Sequence, residues 1–98
     1  MNMQALMQQA QKMQRDIQKK KSELESQTFE GKYEFVKVLF NGKREMISCT
    51  IDNAALTMDD IDMLQDFIVL ATNDAMKKID SEYETKLGQY SSMLNGLM

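Results

Sequence analysis

Ninety-eight residues suffice for one domain whose core buries roughly 60–70% of the unfolded chain's surface. Hydrophobic content of 43% with 28% charged residues excludes wholesale disorder. The chain has no histidine and a single cysteine, Cys49, which excludes a Cys–His nucleophile, a cysteine-based zinc cluster and an intrachain disulfide.

The net charge of −3 is unevenly spread. Residues 1–51 carry +3 and residues 52–98 carry −6, so one end of the molecule is basic and the other acidic. With no signal-like segment and no apolar run near about 18 residues, a cytoplasmic protein is expected, with no membrane partner.

The first element reads MQALMQQAQKMQRDIQKKKSEL. Met3, Ala10, Ile17 and Leu24 recur every seventh position, Leu6 and Met13 fill the intermediate places, Met7 widens the stripe, and Lys20 breaks it. This is a helical heptad seam. A helix of about 22 residues is roughly 33 Å long, too long for a small core to cover, so it should project as an arm or pair along its length. Lys12, Arg15 and Lys19 share the face opposite the seam, and Lys20 and Lys21 extend the charge around the helix. Such a row is either a solvated face or a line of phosphate contacts, and spacing does not separate the two.

From Gln27 to Ile51 the period becomes alternating. Phe29, Tyr33, Phe35 and Leu39 share one parity, and Val36, Val38 and Phe40 share the other. Gly31 is expected to turn the first strand into the second. Asn41-Gly42 predicts a hairpin with a type I′ turn, which needs positive φ at both central residues. Met46, Ile47, Cys49 and Ile51 form the return strand, with a parity slip after Met46 that predicts either a bulge or an unfixed register. Cys49 is expected as a small core residue. A three-stranded sheet with apolar residues of both parities is expected to be apolar on both faces. Since one helix covers one face, Val36, Val38, Phe40, Phe35 and Leu39 become the candidate homodimer interface.

Beyond Asp52 the helical period returns. Thr57 with Asp60 makes an Asp-for-Glu capping box, and Asp59, Asp60 and Asp62 suit the positive end of a helix dipole. The apolar stripe runs from Ile61 through Leu64, Ile68, Ala71, Ala75 and Ile79 to Leu87, continuing to Tyr90, Leu94 and Leu97. Residues 61–75 should pack on the sheet, widened by Phe67 and Leu70, with the later turns a second arm. Gly88 opens a tail expected to fray. The expected fold is α+β in one domain: a helical arm over 1–26, an antiparallel meander over 28–52, a helix over 57–87 and a tail over 88–98. No catalytic constellation, metal site, cofactor motif or small-molecule pocket signature stands out, and an enzyme is not expected.

The order of helix, meander and long helix resembles the YbaB/EbfC family of bacterial nucleoid-associated proteins. Met3-Gln4-Ala5-Leu6-Met7 and Gln9-Ala10-Gln11-Lys12-Met13-Gln14 carry the likeness in the first helix. Val36-Lys37-Val38, Asn41-Gly42-Lys43 and Ile51-Asp52 carry it in the sheet, and Leu64, Asp66, Ala71 and Asn73-Asp74-Ala75 in the second helix. The likeness spans nearly the whole chain. It departs where family members often have a run of glycines, since Gly31-Lys32-Tyr33-Glu34-Phe35 stands here. The resemblance implies a tweezer-like homodimer, associated with the nucleoid, whose arms bind double-stranded DNA with little sequence preference. Lys12, Arg15 and Lys19 would then make the contacts, with Lys20 and Lys21 beside them and Lys77, Lys78 and Lys86 further candidates. A second reading is a protein-interaction dimer gripping apolar partners with Met-rich arms, an order loosely similar to prefoldin-type chaperone subunits.

Overall fold

The structure, a computed structural model, describes residues 2–90. Helix α1 spans Met3–Ser26, and strands β1 (Thr28–Tyr33), β2 (Val36–Asn41) and β3 (Met46–Ile51) follow. A 3-10 turn at Met58–Asp60 leads into helix α2 (Ile61–Leu87), and a second one occupies Gly88–Tyr90. The rest of the expected tail, with Leu94 and Leu97, lies outside the described residues. The molecule is a rod, 70 × 19 × 17 Å.

The chain starts α1 by an ordinary capping device. Asn2 is extended, and its side-chain oxygen accepts from the Gln4 N–H at 3.0 Å, satisfying a donor that the helix cannot. At α2, the Asp60 carboxylate accepts from the Thr57 N–H at 2.9 Å and from its hydroxyl at 3.2 Å. The expected Thr57–Asp60 pairing is present, holding a 3-10 turn rather than the first α-helical turn.

The strands pair antiparallel in the order β1-β2-β3, as a meander should. Tyr33 pairs with Val36, so the two residues between them, Glu34 and Phe35, make the turn. That turn switches the parity. Phe29, Gly31 and Tyr33 of β1 therefore lie on the same face as Val36, Val38 and Phe40 of β2, and the paired Ile51, Cys49 and Met46 of β3 follow them. The opposite face carries Thr28, Glu30, Lys32, Lys37, Ser48 and Thr50, with Leu39 its main apolar side chain. The expectation of two apolar faces is thus corrected: the two parities read from the sequence are one face seen on either side of a turn. The expected bulge is present. Leu39 pairs with Ser48 and Phe40 with Met46, leaving Ile47 as the extra residue.

Both glycine expectations change as well. Gly31 sits inside β1 and turns nothing. A Cβ there would fall 2.1 Å from the Ala71 carbonyl oxygen and 2.7 Å from the Ala75 Cβ. The small residues Gly31, Ala71 and Ala75 let α2 lie directly on the strand. In the β2–β3 hairpin no glycine has positive φ. The left-handed residue is Arg44, at φ 67°, after a turn closed by the Arg44 N–H to the Asn41 carbonyl at 3.1 Å. Gly42 is needed instead for contact, since a Cβ there would meet the Leu24 carbonyl oxygen at 1.8 Å. Glu34 holds the other positive φ, 52°, in the turn between β1 and β2.

Helix α2 covers β1 and β2, and the core lies between them. Val36, Val38, Ala71, Ala75, Ile79 and Leu24 are fully buried, and Phe29 and Phe40 nearly so. Val36, Val38 and Phe40 are therefore sealed inside one chain and offer no surface to a partner. Phe35 is half-buried against Phe67, with rings 5.3 Å apart at 70°, and Leu39 is half-buried on the far face. The buried part of α2 lies further along than expected, at Ala71 to Leu87, while Ile61, Met63 and Leu70 are exposed. The later turns are held by α1 and are not a free second arm. Strand β3 is left uncovered by α2: every one of its residues is exposed, Cys49 included, which corrects its expected place in the core.

The two sheet edges differ. On β1 the Lys32 N–H donates to the Asp74 carboxylate at 3.0 Å and the Lys78 ammonium donates to the Glu30 carbonyl at 2.7 Å. Both partners come from α2, so that edge is closed to another strand. The Lys32 N–H, aided by the Lys78 charge, holds the Asp74 carboxyl below its ordinary 3.8 against a smaller opposing effect of burial. A depressed carboxyl stabilises the fold above its unfolded value and loses that contribution as pH falls through the folded one. The gap in urea midpoint between wild type and Asp74→Asn should accordingly be constant at neutral pH and close below 3.8. A gap that does not change with pH would show that the carboxylate's charge contributes nothing.

Candidate nucleic-acid interface

The seam of α1 is covered only in its lower half. Leu24 is fully buried, Ile17 is 7% exposed and Met13 packs partly against the same core. Above Met13 every residue of α1 is exposed, and Met3, Leu6 and Met7 are 70%, 48% and 60% exposed. About ten residues, or roughly 15 Å of helix, therefore stand clear of the sheet.

The root of this arm is fixed from three sides. Gly42 of the hairpin lies against the Leu24 main chain, and Tyr83 of α2 donates its hydroxyl to the Gly42 carbonyl at 2.9 Å. Arg44 pairs with Asp80 and lies over the Tyr83 ring, 5.8 Å from its centre. Glu23 and Glu25 at the end of α1 pair with Lys86 at 3.9 Å and Lys43 at 3.8 Å. Exposed ion pairs of this length contribute little each. The buried Leu24 and the close glycine contact set the arm's direction.

Ion pairing sorts the cations. Of the cations on the sheet, the hairpin and α2, Lys37, Lys43, Arg44, Lys78 and Lys86 each have a carboxylate partner. On α1, Lys12, Arg15, Lys19 and Lys21 form no ion pair with a described residue, and all four are exposed. Lys20 is half-buried, its ammonium 5.2 Å from the Tyr90 ring centre, so it faces the 3-10 turn that follows α2 and leaves the row. Asp16 is the carboxylate nearest the row, one helical turn beyond Lys12. Lys32 and Lys77 are exposed without a described carboxylate partner, whereas Lys78 and Lys86 are engaged.

Lys12, Arg15 and Lys19 thus stand together on one exposed helical face. Lys21 lies round the helix from them. What sequence reasoning missed is the sorting itself. One part was readable in advance, the i, i+4 spacing of Asp74 and Lys78, but the pairs of Arg44 with Asp80 and Lys43 with Glu25 depend on where the hairpin lands. Among the described residues no group of three His, Cys, Asp or Glu side chains is placed to hold a metal ion, and no helix is long and apolar enough to cross a membrane.

Comparison with known proteins follows the same geometry. The fold matches the crystal structure of an uncharacterized Helicobacter pylori protein, HP0035, with a TM-score of 0.69 over 100% of this chain and 99% of that one, at 20% identity. A protein of Ligilactobacillus salivarius named nucleoid-associated protein is 42% identical over 99% of this chain and 95% of its own length. One of the same name from Enterococcus faecalis is 38% identical over 97% of this chain and 93% of its own. The family model of the YbaB/EbfC DNA-binding family matches residues 1–94. With a match that spans arm, meander and second helix alike, the chain belongs to the YbaB/EbfC DNA-binding family.

Proposed function

We propose that this protein binds double-stranded DNA as a nucleoid-associated homodimer, through phosphate contacts made by the arms of two chains. The observation that carries the reading is the sorting of charge. Cations of the sheet and α2 are mostly neutralised by partners, while Lys12, Arg15 and Lys19 stand unpaired with any described residue on a helix that projects from the core. A pI near 4.9 gives bulk charge no part in this, so the local row must act. The acidic half of the chain, including Asp59 in the 3-10 turn and Asp62 and Asp66 of α2, repels phosphate and confines a duplex to the arms. In this arrangement residues 1–26 act as the arm, 28–52 as the meander and 57–87 as the brace that holds the arm at its root.

The second chain is assigned to β3. Met46, Ile47 and Ile51 are 46%, 54% and 41% exposed, and among the described residues the outer edge of β3 has no strand beside it. The β1 edge is closed, so β3 is the strand left for pairing or packing. Ile61, Met63 and Leu70 on the first turns of α2 add further exposed apolar surface. This replaces Val36, Val38 and Phe40 as contact residues.

The test is a salt titration of duplex binding. Three cations from each of two chains make about six phosphate contacts, for which log K against log salt has a slope of roughly −5. Replacing Lys12, Arg15 and Lys19 together by Gln should flatten the slope and weaken binding to every sequence alike, with helicity unchanged. A triple variant that keeps the wild-type slope would place the contacts elsewhere, with Lys77 next to be replaced.

A further inference from the structure

The phosphate-binding reading leaves the outer third of α1 without a task. Asn2 to Gln11 contains no charged residue, yet this is the part that reaches farthest from the core. Its polar side chains are amides. Gln4, Gln8 and Gln11 are exposed and, with Met7, fall at positions i, i+4, i+7 and i+3, so they form one continuous face. Arg15 is four residues beyond Gln11, and Lys12 and Lys19 flank the same line. The face therefore changes along its length, from cations near the core to amides around a 60% exposed thioether side chain at the tip. No carboxylate lies on the amide section.

That gradient matches the two layers of a duplex groove. Cations belong at the phosphate rim, where charge gives affinity and no sequence information. A carboxamide gains nothing special there. Its donor and acceptor are held side by side in one plane, which fits the N6 donor and N7 acceptor of adenine in the major groove. An exposed methionine beside it offers apolar contact to the thymine C5-methyl of the same pair. A helix about 10–12 Å across also fits the major groove, which is about 12 Å wide. Resting on the reading of the arms as duplex-binding, we propose that Gln4, Gln8 and Gln11, with Met7, read A·T base pairs in the major groove, while Lys12, Arg15 and Lys19 hold the flanking phosphates. The protein then has a mild A·T preference carried by the arm tip and separable from its salt-dependent affinity.

Two base analogues test this on the full-length protein. One set of short duplexes shares a single A·T-rich sequence, in which thymine is replaced by uracil in one member and adenine by 7-deazaadenine in another. Uracil lacks only the C5-methyl, and 7-deazaadenine only the N7 acceptor, and both changes lie in the major groove. Binding is read by fluorescence anisotropy at two salt concentrations, for wild type and for the variant combining Gln4→Ala, Gln8→Ala and Gln11→Ala. Alanine keeps the helix, and these exposed residues leave the fold untouched. Wild type should bind the natural duplex up to about tenfold more tightly than the 7-deazaadenine duplex, the size of one amide–adenine pair, with a smaller loss for uracil. The alanine variant should bind all three duplexes equally and keep the wild-type salt slope. Equal wild-type affinity for the three duplexes, with the slope intact, overturns the base readout and leaves phosphate binding standing. Absence of binding to any duplex at low salt removes the DNA reading itself.

Discussion

Gly31→Ala should destabilise the protein by about 3 kcal/mol or more, at the upper end of the range for overpacked cores. The added methyl would sit 2.1 Å from the Ala71 carbonyl oxygen and 2.7 Å from both the Ala75 Cβ and its main-chain nitrogen. Two of those atoms are backbone in the middle of a long helix, so the clash cannot be relieved by rotating a side chain. Relief requires lifting α2 off β1, which uncovers Val38 and Ala75, now fully buried. Gly88→Ala is the control. Gly88 is helical at φ −58°, and its nearest neighbour is the mobile end of Glu84 at 3.0 Å. Alanine there should be neutral or stabilise by up to about 1 kcal/mol. Urea melts of the two variants make the comparison. Equal midpoints for Gly31→Ala and wild type would mean that α2 does not lie on the strand as described.

Combining Ile47→Lys with Ile51→Lys should turn a dimer into a folded monomer. These side chains are 54% and 41% exposed in one chain, so charging them costs that chain little. In the proposed dimer they meet their counterparts, and burying two unpaired ammonium groups in each chain is prohibitive. Sedimentation of wild type at micromolar concentration should give about twice the 11.3 kDa chain mass, and the variant should give the chain mass itself. The dependence of melting temperature on protein concentration should vanish with it. The salt slope should fall from roughly −5 to roughly −3, since one arm makes half the phosphate contacts. A variant that sediments like wild type would move the contact to another surface. A folded monomeric wild type would end the two-chain reading altogether.

The sequence carried what is local. Heptad spacing, Asn41-Gly42, the slip after Met46 and the Thr57–Asp60 pair each depend on residues within a turn or two, and helix, hairpin, bulge and cap all lie where those signals stand. It failed where meaning depends on what crosses over. Phe29 and Val36 look like opposite faces until the two-residue turn at Glu34 and Phe35 folds them onto one. Gly31 and Gly42 read as turn residues because turns are the commoner use of glycine, whereas both are contact points for a helix distant in sequence. Cys49 and Ile51 are apolar and on the helix-side face, yet α2 stops short of their strand. The candidate site followed the same rule. Lys12, Arg15 and Lys19 were visible as a face, but only the fold identifies which other lysines are occupied, and only the fold turns Lys20 towards Tyr90.

The closed β1 edge limits valency. A sheet with two receptive borders adds strands at both ends and grows into a ribbon, as aggregating proteins do. In the proposed β3-paired dimer, with Asp74 and Lys78 occupying the other border, each copy offers a single receptive strand, so association through strands would saturate at two. Raising the protein concentration then fills pairs and does not lengthen chains of them. In the proposed dimer that is a useful ceiling, because higher coverage of DNA would add more discrete clamps and no filament.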